Sequence, residues 1–206
     1  IKTSALPILF NLSIANSSFA ITGSGGAFSL TSKVGSTNKP FLEFGGKLID
    51  GGTGPGGIDF FHLTYVLQEG TDVLSPFDGV VMAVDYQSAD NDYEIRIKYS
   101  SSSSIYTSIT DHVLSPTVIS GNTVAAGQVI GVVNHSTKYE FDITVDDRSS
   151  NVRDCPVKYL DSSVKVEVEG LITQLMQDVE TYQNDASLYD QENMPYPGCK
   201  VESGGE

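Results

Sequence analysis

The sequence has no tryptophan, only two cysteines and three histidines, and just 12 Lys and Arg residues against 26 Asp and Glu. That shortage of basic residues leaves a formal net charge of −14. Such a surface repels phosphate backbones and anionic headgroups, so nucleic-acid binding is excluded. No run of about 18 apolar residues occurs, which excludes a membrane-spanning helix. Cys155 and Cys199 fit no metal-binding spacing. In an oxidising compartment they would form a disulfide closing one long loop; in a reducing one they would be two buried thiols.

What is abundant points elsewhere. Ser, Gly and Thr are abundant and charged residues make up 18% of the chain, which reads as a β-rich, secreted, extracellular protein. Three glycosylation sequons begin at Asn11, Asn16 and Asn134.

The chain divides into an N-terminal arm (1–40), a β-domain (41–160) and a C-terminal helix with a tail (161–206). Lys2, the apolar run 6–10 and Ser18-Phe19-Ala20 have the outline of a signal peptide, but Asn11, Ser13 and Asn16 interrupt it. The preferred reading is a mature strand: Phe10, Leu12 and Ile14 alternate with Asn11, Ser13 and Ala15, and Phe19 and Ile21 continue the pattern to a turn at residues 23–26. A hairpin over residues 5–35 must find a sheet to lie on. Either it caps its own domain, or it adds a strand to a second copy and builds a homopolymer, an extracellular filament. The Gly-rich stretch from Gly45 to Gly57 reads as loop, and no Lys-Ser/Thr follows it to make a phosphate cradle.

From Ile58 to Leu160 short strands and turns recur. Val73-Leu74, then Ser75-Pro76-Phe77-Asp78-Gly79, then Val80-Val81 is strand, corner, strand. Tyr93, Ile95 and Ile97 alternate with Glu94, Arg96 and Lys98. Asp90-Asn91-Asp92 offers oxygens of the kind calcium takes but matches no complete loop pattern, and reads as a solvated turn. Val168, Leu171, Ile172, Leu175, Val179 and Tyr182 recur at three- and four-residue steps, which predicts one amphipathic helix.

Gly70-Thr71, Pro76, Asp78-Gly79-Val80, Tyr93, Ile95, His112-Val113, Gly121, Val124, Gly127-Gln128, Ile130-Gly131, Phe141, Asp154, Pro156 and Tyr159-Leu160 agree in order and spacing with a known pattern. In these the sequence resembles the lysostaphin-type (LytM-like) zinc endopeptidase domain, over about half the chain. Biotinyl and lipoyl carrier barrels share the corner and the Gly127-Gln128 turn, but their modifiable Lys on an exposed tip has no counterpart here. The resemblance implies a mainly β fold, an antiparallel barrel or sandwich of lysostaphin type, with the arm before it and the helix after it.

Members of that family hold zinc with a His and an Asp of one motif and the second His of a His-x-His motif, leaving an open position for water. By the resemblance His112 matches a catalytic His, while the His-x-His motif falls on Lys138-Tyr139-Glu140. Phe60 and Thr64 fall on the remaining ligand positions, with His62 between them and, if the stretch is extended, on the same face. Two outcomes stand open. The cleft has lost zinc and the domain is a structural or binding module with no cofactor, or His62, His112 and Glu140 form an alternative zinc set and the protein is a metalloendopeptidase acting on cell-wall or Gly-rich peptides. A third reading is a glycan- or cell-wall-binding module whose cleft is lined by Tyr86, Tyr93, Tyr99, Tyr106 and Tyr139. His135 reads as a solvated loop residue.

Overall fold

The computed structural model describes residues 33–35, 37–48, 58–66, 72–100, 106–133, 140–147 and 152–204. Outside them lie the arm residues Phe10, Leu12, Ile14, Phe19 and Ile21, the sequon residues Asn11, Asn16 and Asn134, and His135, Lys138 and Tyr139. Of Glu140 the strand position is described.

The strands follow the alternation of the sequence. They are β1 (Phe41–Leu42), β2 (Gly46–Leu48), β3 (Ile58–Phe60), β4 (Leu63–Val66), β5 (Asp72–Leu74), β6 (Gly79–Gln87), β7 (Asp92–Tyr99), β8 (Tyr106–Leu114), β9 (Thr123–Val124), β10 (Val129–Val133), β11 (Glu140–Asp147), β12 (Val152–Asp154) and β13 (Ser203–Gly204). One curled antiparallel sheet runs in the order β1-β4-β11-β8-β7-β6-β9. β10 joins it through β8 and carries β5, and β12 lies between β11 and β13. β2 and β3 pair separately. The Gly45–Gly57 stretch is therefore not all loop. Gly46 opens β2 because a Cβ there would meet the Glu43 carbonyl and Leu42 at 2.7 Å.

Period two assigns the faces of the sheet. Ile95 and Ile97 on β7 oppose Thr110 and Ser108 on β8, and Ile143 of β11 opposes both Thr110 and Leu63 of β4. This is the core face. Leu63, Ile95 and Ile97 are fully buried in one cluster with Phe41, Phe44 and Phe77. Glu94, Arg96 and Lys98 lie on the other face of β7.

The helix α1 (Lys165–Gln183) appears where the apolar spacing predicts it. Val168, Ile172, Leu175, Met176 and Val179 are buried in the same cluster, each worth roughly 1.5–3 kcal/mol of apolar burial. Tyr182, expected on that stripe, is exposed, one turn beyond the last buried residue. The helix ends at Asn184, which adopts the left-handed conformation (φ 52°) and donates its N–H to the last-turn carbonyls. Beyond it the tail returns to the sheet. Tyr189 OH donates to the Phe41 carbonyl (2.8 Å), and a Cys155–Cys199 disulfide ties the tail to the residue after β12.

Candidate functional site

Two histidine neighbourhoods lie close enough for their charges to interact, and a different element builds each. The first lies between β3 and β4. Residues 58–66 do not form the continuous strand that would hold Phe60, His62 and Thr64 on one face, because β3 belongs to the small sheet, β4 to the large one, and Phe61-His62 joins them. His62 is buried, with its ring stacked on Phe60 at 4.5 Å. Arg153 of β12 donates from Nη1 to His62 Nε2. Burial first, then the Arg153 guanidinium, then His112, push the His62 pKa down to about 3. An imidazole held neutral beside a guanidinium is an acceptor already in use. Thr64, fully buried on β4, has no hydrogen-bond partner for its hydroxyl among the described residues.

The second neighbourhood is made by a bulge. Tyr93 pairs with Val113 but Ile95 pairs with Thr110, so β8 carries one residue more than β7 across Asp111-His112. His112 sits there with φ 58°, a conformation that costs most residues other than Gly about 1 kcal/mol or more. Its backbone N–H donates to Asp111 Oδ1 at 2.8 Å. The bulge aims the ring at Asp92, and His112 Nδ1–H donates to Asp92 Oδ2 at 2.8 Å. Gln87 Nε2 donates to Asp111 Oδ1, also at 2.8 Å. Burial raises the Asp111 pKa, against the lowering effect of His112.

Asp92, Asp111 and His112 thus present oxygens and a nitrogen that all lie within 4.8 Å of one another, a spacing a metal ion would tolerate. This differs from the set of His62, His112 and Glu140 weighed on the sequence, and only His112 is common to both. Asp92 is not part of a solvated turn. It is fully buried as the first residue of β7, while Ser88–Asn91 makes the turn. The sequence offered one sign of this, since Asp92 falls in step with Glu94 and Arg96 on the groove side of the alternating run. Nothing in the sequence pointed to Arg153 or to the bulge.

Backbone register also places Thr64, Asp142 and Asp111 opposite one another on β4, β11 and β8, with Glu140 two residues along β11, opposite Val66. Among the described residues the tyrosines fall into three separate ring contacts. Tyr86 pairs with Tyr93 at 5.3 Å, Tyr99 meets Phe77 edge-on at 5.4 Å, and Tyr106 lies 5.1 Å from Tyr159.

Residues 56–149 match the model of peptidase family M23. By that match the stretch is similar to a LytM-like domain. No curated protein matches the chain in sequence. Among solved structures, lysostaphin in solution is similar at 17% identity, TM-score 0.42, over 52% of this chain and 44% of its own. The catalytic domain of the antimicrobial peptidase lysostaphin from Staphylococcus simulans is similar at 18%, TM-score 0.41, over 51% and 77%. A mutant catalytic domain of the prophage-encoded M23 protein EnpA from Enterococcus faecalis is similar at 21%, TM-score 0.39, over 55% and 86%. The chain therefore spans less than half the length of full lysostaphin. The matched stretch covers both histidine neighbourhoods except Arg153, which β12 supplies from just outside it. Among the described residues no helix is long and apolar enough to cross a membrane.

Proposed function

We propose that this M23 domain is a secreted, non-catalytic scaffold or binding module that holds no zinc. The observation carrying this reading is the contact between Arg153 and His62. The positions that the resemblance gives to a zinc His and a zinc Asp hold Phe60, which cannot ligate, and Thr64, a neutral hydroxyl. The one imidazole between them accepts a hydrogen bond from a guanidinium. A divalent cation there would meet a fixed positive charge and would have to displace it. These residues do not fit zinc, so no hydrolytic step is derived through it. The disulfide supports the extracellular assignment, because such bonds persist in oxidising compartments.

One observation favours a second reading, an active zinc endopeptidase: the cluster of Asp92, Asp111 and His112. Against it, the carboxylate oxygens are already engaged: Asp92 Oδ2 accepts from His112 Nδ1–H, and Asp111 Oδ1 accepts two N–H donors. Zinc content of the purified chain, measured beside cleavage of Gly-rich peptides and peptidoglycan, decides between them. The scaffold reading expects neither metal nor cleavage. One zinc per chain, lost on His62→Ala or on Asp111→Asn, would establish the peptidase. Binding of cell-wall glycan that survives a chelator would identify the partner of a binding module.

A further inference from the structure

The two ends of the sheet are finished differently. At the β1 end the strand is two residues long and the tail covers it. Phe44 bridges to Cys199, Lys200 N donates to the Phe44 carbonyl at 2.9 Å, and β13 closes the outer side of β12. At the other end β6 runs nine residues, yet β9 pairs only with Gly79 and Val80. Among the described residues no strand pairs with Ala83–Tyr86 on the side away from β7.

Proteins usually protect such an edge with Lys, Pro, a bulge, a very short strand or a covering segment. The register of β6 on β7 shifts between Val81 and Ala83, just ahead of this stretch, and Ala83–Tyr86 then pair regularly with β7. β6 has neither Lys nor Pro, and its one charged residue, Asp85, lies 4.0 Å from Arg96. Met82 is 52% exposed and Tyr86 55%. Ile119, 69% exposed, is held near Met82 by the Ser120 hydroxyl, which donates to the Met82 carbonyl at 3.0 Å.

Charge narrows what could cover this edge. Residues 3–32 contain no charged side chain, and Lys2 is the one charge before Lys33. With −14 for the whole chain and +1 for Lys2, residues 33–206 carry −15. Two such bodies repel each other, and the uncharged arm is the part of a second copy that approaches at no electrostatic cost. Phe10, Leu12 and Ile14 share one face of an extended chain, the pattern that strand addition uses: main-chain bonds to the edge and apolar side chains into the surface beside it. Topology supplies the direction. Val34 packs with Leu42 and Val66 at the β1–β4 end, the far end of the strand order from β6. A segment leading into that end and an acceptor at the other make a head-to-tail contact, which builds open chains where the rotation between copies closes no ring.

The geometry points to the outer edge of β6, flanked by Met82, Tyr86 and Ile119, as the acceptor for residues 10–14 of a second copy, which join it as a β-strand. This adds a partner to the scaffold reading and does not depend on it.

The test uses the full chain and two double variants, Met82→Lys with Ile119→Lys at the acceptor and Leu12→Lys with Ile14→Lys in the arm. Sedimentation velocity of the unaltered chain should show oligomers that grow with concentration. Each variant alone should sediment as a monomer with an unfolding midpoint close to that of the unaltered chain. Mixed one to one, the variants should form a dimer of twice the monomer mass and nothing larger, because each retains the half the other lacks. If the Lys acceptor variant unfolds, Met82→Gln with Ile119→Thr replaces it. A monomeric unaltered chain, or an acceptor variant that still polymerises, would overturn the proposal. So would a mixture that stays monomeric, which would place the arm on its own chain. Zinc found in the same samples would overturn the reading of the cleft and leave this result standing.

Discussion

His62 and His112 are the same residue type and lie close enough for their charges to interact, yet their surroundings are opposite. His62 is wedged between an aromatic ring and a guanidinium, in a site that disfavours positive charge. His112 is held by a buried carboxylate across a bulge. A shared metal would need both rings to offer a lone pair to one point. Here one lone pair accepts from Arg153, and the other ring is aimed by Asp92. The difference shows that a histidine's role is set by the charge of the element that packs on it, and that element is remote in sequence in both cases.

The comparison can be broken from either side. The largest effect is expected from Cys155→Ser with Cys199→Ser, because the bond anchors β12 two residues after Arg153 and closes a loop with a sequence separation of 44. Chain-entropy estimates put the loss at about 4 kcal/mol, measurable by urea unfolding. A loss below about 1 kcal/mol would mean that the tail holds β12 without the bond.

Asp92→Ala comes next. It removes the acceptor of a buried, charge-assisted hydrogen bond and should cost about 1.5–3 kcal/mol in the same assay. The His112 imidazole NMR signals should shift while those of His62 stay in place. An unchanged His112 would show that the bulge alone aims the ring.

On the other side the effect follows pH. The folded pKa of His62 lies near 3, below the ordinary 6.5, so the unfolded chain takes the proton first as pH falls. Stability from this group is full above pH 6.5, declines by at most about 1.4 kcal/mol per pH unit below that, and levels off near pH 3 where the folded form also protonates. Arg153→Met should give the smallest change. Burial, the larger cause, remains, so the His62 midpoint should rise without reaching its ordinary value and the decline should be shallower. A midpoint unmoved in Arg153→Met would remove the guanidinium from the account.

Much of the fold was legible in the sequence because its signals are local. The alternation through Tyr93, Ile95 and Ile97 and the corner Ser75–Gly79 mark β7 and the entry to β6, and the three- and four-residue spacing from Val168 to Val179 marks α1. The site was less legible because its determinants are long-range. Asp92 sits beside Asp90-Asn91, a turn signal, and only the pairing of β7 with β8 shows that it is buried under His112. The bulge at Asp111-His112 is a mismatch of register between two strands, which neither strand states alone. Arg153 reaches His62 across 91 positions of sequence. Phe60 to Thr64 looked like one strand because the apolar pattern does not record the change of sheet at Phe61.

The central claim is that the cleft does not hold zinc, and the imidazole NMR spectrum of the full chain with one equivalent of zinc tests it most directly. The His62 and His112 resonances are expected to stay where they are in the metal-free protein. Stoichiometric shifts of both rings, saturating at one zinc per chain, would contradict it.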